Sequence, residues 1–221
     1  MEERYIRNLG ALTEGECLRL REKKVFVAGC GGLGGHIIDM LLRVGVGAMT
    51  VADGDVFEQS NLNRQLLSGM DVLGAPKAEA ARARAARVNP EVRFTAYDGY
   101  VTEENVSAMV KGCDAAMDAL DSISARKLLK AECDRQGIPY IYGAISGWTA
   151  QAAVSLPGDG LLDALYPEET VVAGKSSLSF TPALCAAIQS SLCVKLLCGR
   201  TIESGRLYYF DLLDIEFEKI F

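Results

Sequence analysis

Histidine is nearly absent: His36 is the one imidazole in 221 residues. The seven cysteines (Cys17, Cys30, Cys113, Cys133, Cys185, Cys193 and Cys198) are scattered, with no C-x-x-C pair. Structural zinc sites draw on such pairs, so no zinc is expected. An odd, scattered set without a secretory leader points to a reducing cytoplasm, and the Met-Glu-Glu-Arg start has no apolar h-region. Positive charge is in short supply. Lys plus Arg number 23 against 29 for Asp plus Glu, a net charge of -6. That excludes a broad basic surface for nucleic acid, but not a small anionic ligand held by a few donors. Long hydrophobic runs are missing too. The longest, Ala183 to Cys198, is broken by Gln189, two serines and Lys195. It reads as too short and too interrupted for a membrane span.

What remains is an ordinary globular composition with 49% hydrophobic residues. The length fits one domain with a core large enough to fold without staples. A polar helix is expected over Thr13 to Arg21. The pattern then alternates: strand Val25–Ala28, helix Leu33–Val44, strand Met49–Ala52, helix Pro76–Val88 and strand Val92–Tyr97. It continues with helix Glu103–Lys111, strand Ala115–Asp118, helix Ser122–Gln136 and strand Tyr140–Ala144. Pro76 suits a first helical turn, and six alanines follow it. Arg82, Arg84 and Arg87 on that helix read as a solvated face. Alternation of this kind predicts an α/β fold: a Rossmann-like, mostly parallel sheet with helices on both faces.

After residue 145 the rhythm changes. Gln151–Leu156 reads as a strand with no helix before it, Thr181–Leu197 as an apolar helix, and Leu207–Phe217 as one or two closing strands. The tail is expected to add antiparallel strands to the same sheet. The chain therefore divides into a helical arm (1–24), a nucleotide-binding half (25–145) and a C-terminal part (146–221), without a linker.

Three stretches carry chemistry. Gly29, Gly31 and Gly34 fit G-x-G-x-x-G between a strand and a helix. Such a loop lets the backbone turn tightly and brings helix N–H groups to phosphate. Asp53 ends the next strand, where a carboxylate accepts ribose hydroxyls. Asn61, Arg64 and Gln65 follow at spacings of three and four, which share a face in a helical turn. They offer one cation and two amides to phosphate and ribose; the plain alternative is a capped surface turn. Lys77 opens a helix, against the positive dipole end, a cost of roughly 0.3–1 kcal/mol that an anion would reverse. The alternative is an exposed lysine. Asp121, just past strand Ala115–Asp118, is either a helix N-cap or a ligand to Mg²⁺ facing phosphate. His36 reads as a surface or supporting residue.

These residues resemble the ThiF/MoeB/HesA adenylyltransferases, bacterial relatives of ubiquitin-activating enzymes. The resemblance runs from Arg4-Tyr5-Ile6-Arg7 to Lys195-Leu196-Leu197. Its core is Gly29 to Gly34, Asp53-Gly54-Asp55, Ser60-Asn61-Leu62-Asn63-Arg64-Gln65 and Pro76-Lys77. It implies a single adenylation domain. The implied reaction is ATP-dependent adenylation of the C-terminal Gly-Gly carboxylate of a small ubiquitin-like sulfur carrier, as in thiamine, molybdopterin or tungstopterin biosynthesis. By matching position, Gly32 would lie against the phosphates, Asp53 would hold the ribose, and Ser60, Asn61, Leu62 and Asn63 would line the nucleotide; Gly29, Gly31, Asp55, Gln65 and Ser122 are expected to bind it as well. Arg64 and Lys77 would stabilise triphosphate charge, and Asp121, beside Ser122, would ligate Mg²⁺. Arg7 matches an arginine that reaches into the partner subunit's site, which implies a homodimer. Whether a sulfur donor protein also docks stays open.

The chain departs from its relatives at several points. Where many carry a first zinc-binding cysteine pair, it reads Leu161-Leu162-Asp163-Ala164. Pro167 to Phe180 is short and holds no cysteine for a thioester, and Cys185 reads as core. Ser122 stands for a common Asn, and Asn8 for a common Gln. Gly143, Gly147 and Gln151 bracket Trp148 and either line a groove for a Gly-Gly tail or surround a core tryptophan. Two other readings compete: a nicotinamide-dependent oxidoreductase, which leaves Arg64 and Lys77 unexplained, and a non-catalytic carrier-binding protein.

Overall fold

Alternating strand residues bury on opposite faces of one sheet. Val25 and Val27 pack into one core with Ile37, Leu41 and Met49, while Phe26 and Ala28 enter another with Val106, Leu129 and Tyr140. This period of two is what a strand covered on both faces requires. The computed structural model describes residues 2–167 and 176–220.

In chain order the elements are α1 (Glu14–Glu22), β1 (Lys24–Ala28), α2 (Gly32–Val44), β2 (Ala48–Asp53), α3 (Lys77–Val88) and β3 (Arg93–Asp98). They continue as α4 (Val106–Val110), β4 (Ala115–Asp118), α5 (Ile123–Gln136), β5 (Tyr140–Ser146), β6 (Thr149–Ser155), α6 (Leu161–Leu165), α7 (Phe180–Leu197), β7 (Leu207–Asp211) and β8 (Glu216–Ile220). The sheet has eight strands in the order β3-β2-β1-β4-β5-β6-β7-β8. The first five run parallel and the last three antiparallel. The expected fold class holds. From β1 the chain winds outward through β2 and β3, then returns to β4 on the other side. This leaves a topological switch point between β1 and β4, where ligands of open α/β sheets bind.

Helix starts follow the side chains available. Thr13 caps α1 in a reciprocal box with Glu16. Ser122 caps α5 through Ala125 N–H at 3.3 Å. Gly45 and Gly137, both left-handed, end α2 and α5.

Some elements differ from expectation. Helix α4 is shorter than Glu103–Lys111, because Asn105 Oδ1 accepts from Thr102 N–H and holds a turn there. A 3₁₀ turn at Glu3–Asn8 and the short α6 were not expected. Leu161 and Leu162 of α6 are buried, so apolar packing stands where relatives were expected to place a cysteine pair. Trp148 is not a core residue. It sits at the β5–β6 hairpin turn, 42% exposed, with its ring 5.1 Å from that of Phe180.

Helix α7 begins one residue before the expected Thr181 and ends at Leu197 as expected. It is the one helix among the described residues long and apolar enough to cross a membrane. Here it packs on α2, β5 and β6 and buries Cys185, Gln189 and Cys193. Gln189 donates to the carbonyls of Asp118 (2.8 Å) and Ile141 (3.2 Å), tying β4 to β5. The Pro167–Phe180 segment, expected to be a short loop, lies outside the described residues over 168–175.

Candidate active site

A cavity of about 300 Å³ opens at the switch point, walled by the glycine loop, the Asp53–Asp55 turn, Arg64, Gln65, Lys77, the β3–α4 loop and the β4–α5 loop. Each part has a local cause. Gly29 has φ +99°, and a Cβ there would lie 2.6 Å from the Ala119 carbonyl oxygen. A Cβ on Gly34 would lie 1.8 Å from the Gly29 carbonyl oxygen. Those two glycines serve the turn and the helix–sheet contact. Gly32 does not: its Cβ would meet Pro182 at an ordinary 3.6 Å. The packing tolerates a side chain there, so the space it leaves faces the cavity. No side chain caps α2, so its first-turn N–H groups have no intrahelical acceptor.

Asp53 Oδ2 accepts from Cys30 N–H at 2.6 Å, and Oδ1 from Asp55 N–H at 2.9 Å. Each oxygen keeps a further lone pair for a hydroxyl donor. Burial pushes its carboxyl above the ordinary range, and the two N–H groups and Lys77 partly offset this.

Residues 61–65 form the expected turn, with Arg64 and Gln65 N–H both on the Asn61 carbonyl. Its side chains do not share one face toward the cavity. Asn61 is buried and its Oδ1 accepts from Glu58 N–H at 3.1 Å, so it builds the turn. Arg64 and Gln65 reach the cavity wall, whereas Ser60, Asn61, Leu62 and Asn63 lie behind it. Asn63 Nδ2 donates to the Ser177 carbonyl at 3.1 Å. Arg64 Nη1 donates to the Ser60 carbonyl and to Asn63 Oδ1. No carboxylate pairs with it among the described residues. Gln65 Oε1 and Ser177 Oγ are buried with no hydrogen-bond partner among the described residues, and both residues line the cavity. Unsatisfied polar atoms of this kind cost about 1–3 kcal/mol each until a ligand meets them.

Lys77 is not exposed. It is 6% accessible, and its ammonium lies 2.9 Å from Asp55 Oδ2. The Asp55 carbonyl also accepts from Lys77 N–H. Tyr100 donates its hydroxyl to Asp55 Oδ1 at 2.6 Å, and that carboxylate raises the phenol above its usual value. Asp121 is not the helix cap, since Ser122 takes that role. Asp121 is exposed on the cavity wall, while Ser122 lies outside it. No group of three or more His, Cys, Asp or Glu side chains with metal-site geometry occurs among the described residues.

Arg7 is exposed in the turn before α1. Its neighbour Asn8 donates to the Val44 carbonyl, at the end of α2 away from the cavity. The length of α2 puts about 20 Å between them, so Arg7 lies away from the cavity of its own chain. His36 is half-buried, and burial lowers its pKa.

Several wall residues escaped the sequence reading, among them Tyr100, Ser177 and Arg126. Arg126 sits amid Lys127 and Lys130 on α5, a stretch that reads as solvent-facing, yet it is buried. Nη1 lies 2.9 Å from Asp118 Oδ2 and 2.8 Å from the Gly143 carbonyl, and Nη2 donates to the Leu120 carbonyl. Burial disfavours its charge, but Asp118 together with Tyr140, Tyr166 and Tyr142 outweighs that and raises its pKa. Asp118 is fully buried, and burial raises its carboxyl against the pull of Arg126, Tyr140 and Leu120 N–H. The available signal was Asp118 itself: a carboxylate ending a buried strand demands a cation within reach.

The chain is similar to known proteins over nearly all its length. It is 38% identical over 210 residues to the SAMP-activating enzyme E1 of Haloferax volcanii, covering 91% of this chain and 77% of that protein. It is 31% identical to the sulfur carrier protein adenylyltransferase of Thermus thermophilus, covering 91% and 79%. The E. coli MccB structure with ATP superposes with a TM-score of 0.85 at 20% identity, covering 100% of this chain and 71% of that one. PaaA superposes at 0.79 with 21% identity, and this chain spans 65% of it. At those identities the two structures speak for the fold alone. The ThiF family model matches residues 4–220. With the glycine loop, Asp53, Arg64 and Lys77 gathered on one cavity at the β1/β4 switch point, the chain belongs to the ThiF family.

Proposed function

We propose that this protein joins AMP to the C-terminal carboxylate of a small ubiquitin-like sulfur carrier ending in Gly-Gly, releasing pyrophosphate from ATP. That it is an adenylyltransferase follows from its family and from named relatives that act on sulfur carriers. The Gly-Gly tail is the finer part of the proposal. The observation that carries it is the placement of Arg64, Lys77 and the uncapped start of α2 around one cavity. A carboxylate attacking an α-phosphate brings two anions together, so fixed positive charge is what lowers the barrier. The nucleophile is already ionised at neutral pH and needs no general base on the protein.

ATP and Mg²⁺ fit the residues present. Gly32 leaves room for a phosphate, and Gln65 and Ser177 carry polar atoms awaiting a partner. Asp53 would take the ribose hydroxyls. Mg²⁺ binds through one or two carboxylates plus phosphate oxygens, so Asp121 alone could hold it from the protein side. When bound, the ion neutralises phosphate charge. Arg64, which faces neutral acceptors among the described residues, would orient the phosphates, and Lys77 would meet the departing pyrophosphate.

All seven cysteines are buried. Burial pushes Cys185 up to about 12, with Sγ set among the Ala144 and Gln151 carbonyls. This chain therefore offers no ready thiolate for a thioester, and the acyl group would pass from the adenylate to another molecule. We read the chain as one adenylation domain working in the cytoplasm. Arg7 would complete the site from the second subunit of a homodimer. Carrier-dependent exchange of labelled pyrophosphate into ATP tests the reading, and its absence with every Gly-Gly-ended carrier would overturn it.

A further inference from the structure

The Lys77–Asp55 ion pair is unequal. The Lys77 side chain is 8% exposed and the Asp55 side chain 50%. Water can solvate the half-exposed Asp55 when Lys77 leaves. Lys77 has no such recourse, and its charge needs an anion at every stage. Asp55 also has a second anchor, because its other oxygen accepts the Tyr100 hydroxyl at 2.6 Å. Tyr100 is itself fitted to this turn: a Cβ on Gly54 would come within 2.8 to 2.9 Å of three of its ring atoms. A triphosphate entering the cavity must therefore take Lys77 from Asp55, and Asp55 has somewhere to rest when that happens.

We propose that Asp55 is the exchangeable counter-anion of Lys77. It yields the ammonium to the phosphates when nucleotide binds, is held meanwhile by Tyr100, and returns to Lys77 to displace pyrophosphate after the transfer. No bond is made or broken in the exchange. Tyr100 is a positioning residue, acting through Asp55. The proposal rests on the adenylation reading and adds the route by which the first product leaves.

The two residues then act with opposite sign. Asp55→Asn removes the competitor, so pyrophosphate binds Lys77 more tightly, by about fivefold. Tyr100→Phe removes the resting place, so displacing Asp55 costs more and pyrophosphate binds about two- to threefold more weakly. Adenosine, which lacks phosphates, should bind both variants within about twofold of the parent. A merely structural role would weaken every ligand in both variants. The experiment is calorimetric titration of the full chain with pyrophosphate in excess Mg²⁺, and with adenosine, for the parent, Asp55→Asn, Asp55→Ser and Tyr100→Phe. Tighter pyrophosphate binding by the Asp55 variants and weaker binding by Tyr100→Phe is the expected result. Unchanged or weaker binding by the Asp55 variants overturns the exchange. Opposite shifts without carrier-dependent exchange would remove the adenylation reading alone. Exchange activity with no shift would remove only the role of Asp55.

Discussion

Arg126, in the cavity wall, forms a buried ion pair with Asp118 behind it, 2.9 Å apart, with side chains 7% and 0% exposed. The carboxylate also accepts from Tyr140 and from Leu120 N–H, and the guanidinium spans the Leu120 and Gly143 carbonyls. The pair thereby fixes the exits of β4 and β5, from which the Asp121 loop and one cavity wall continue. Removing one partner strands the other charge in the core.

Arg126→Met should lower stability by roughly 3–5 kcal/mol, because Asp118 is left buried and unpaired. The double change Arg126→Met with Asp118→Asn should recover a large part of that loss. Denaturant unfolding of the single and double variants gives the comparison. Additive losses would mean the two charges are not coupled.

Gly34 and Gly32 should separate fold from ligand. Gly34→Ala drives a Cβ to within 1.8 Å of a backbone oxygen and should cost at least about 1–3 kcal/mol. Gly32→Ala meets only an ordinary contact, so the melting temperature should hold. Nucleotide affinity should fall on the order of tenfold or more as the methyl displaces phosphate from the helix start. Thermal melts beside ATP titrations check both arms. Full ATP affinity in Gly32→Ala would mean the phosphates lie elsewhere.

Asp53 sets a pH dependence of two signs. Its folded pKa is raised by burial, so the folded chain binds this proton more tightly than the unfolded chain. That contribution to stability is present below the unfolded value of about 3.9 and is lost as pH rises through the folded value. Nucleotide binding runs the other way, since ribose hydroxyls donate to the ionised form. ATP affinity should therefore weaken on acidification at a pH above the ordinary aspartate range. Asp53→Asn should bind weakly at every pH and lose that inflection. Titrations between about pH 4 and 7 decide it.

What could be read from the sequence was local. The β1–loop–α2 unit declares itself because Gly34 answers to the Gly29 carbonyl within one supersecondary motif. The helices after Thr13 and Asp121 announce themselves because a cap lies within three residues of what it caps, although the structure gives the second cap to Ser122. Lys77 misled in isolation, since its burial depends on Asp55, far back along the chain. Arg126 hid for the same reason: only the folded sheet brings Asp118 and Gly143 to it. Asn61 was grouped with Arg64 and Gln65 by spacing, but a tight turn sent its side chain to Glu58 N–H instead. Helix α6 is one turn long and leaves no periodic trace.

The central claim is that Arg64 and its neighbours hold a triphosphate for attack by a protein carboxylate. Exchange of labelled pyrophosphate into ATP, measured with each small Gly-Gly-ended protein from the same cell, tests it most directly. Exchange that requires one such carrier is the expected result. A fall of on the order of a hundredfold or more is expected in Arg64→Ala, whose stability should stay within about 0.5 kcal/mol of the parent. Exchange that Arg64→Ala leaves at the parental rate, or no exchange with any carrier, would contradict it.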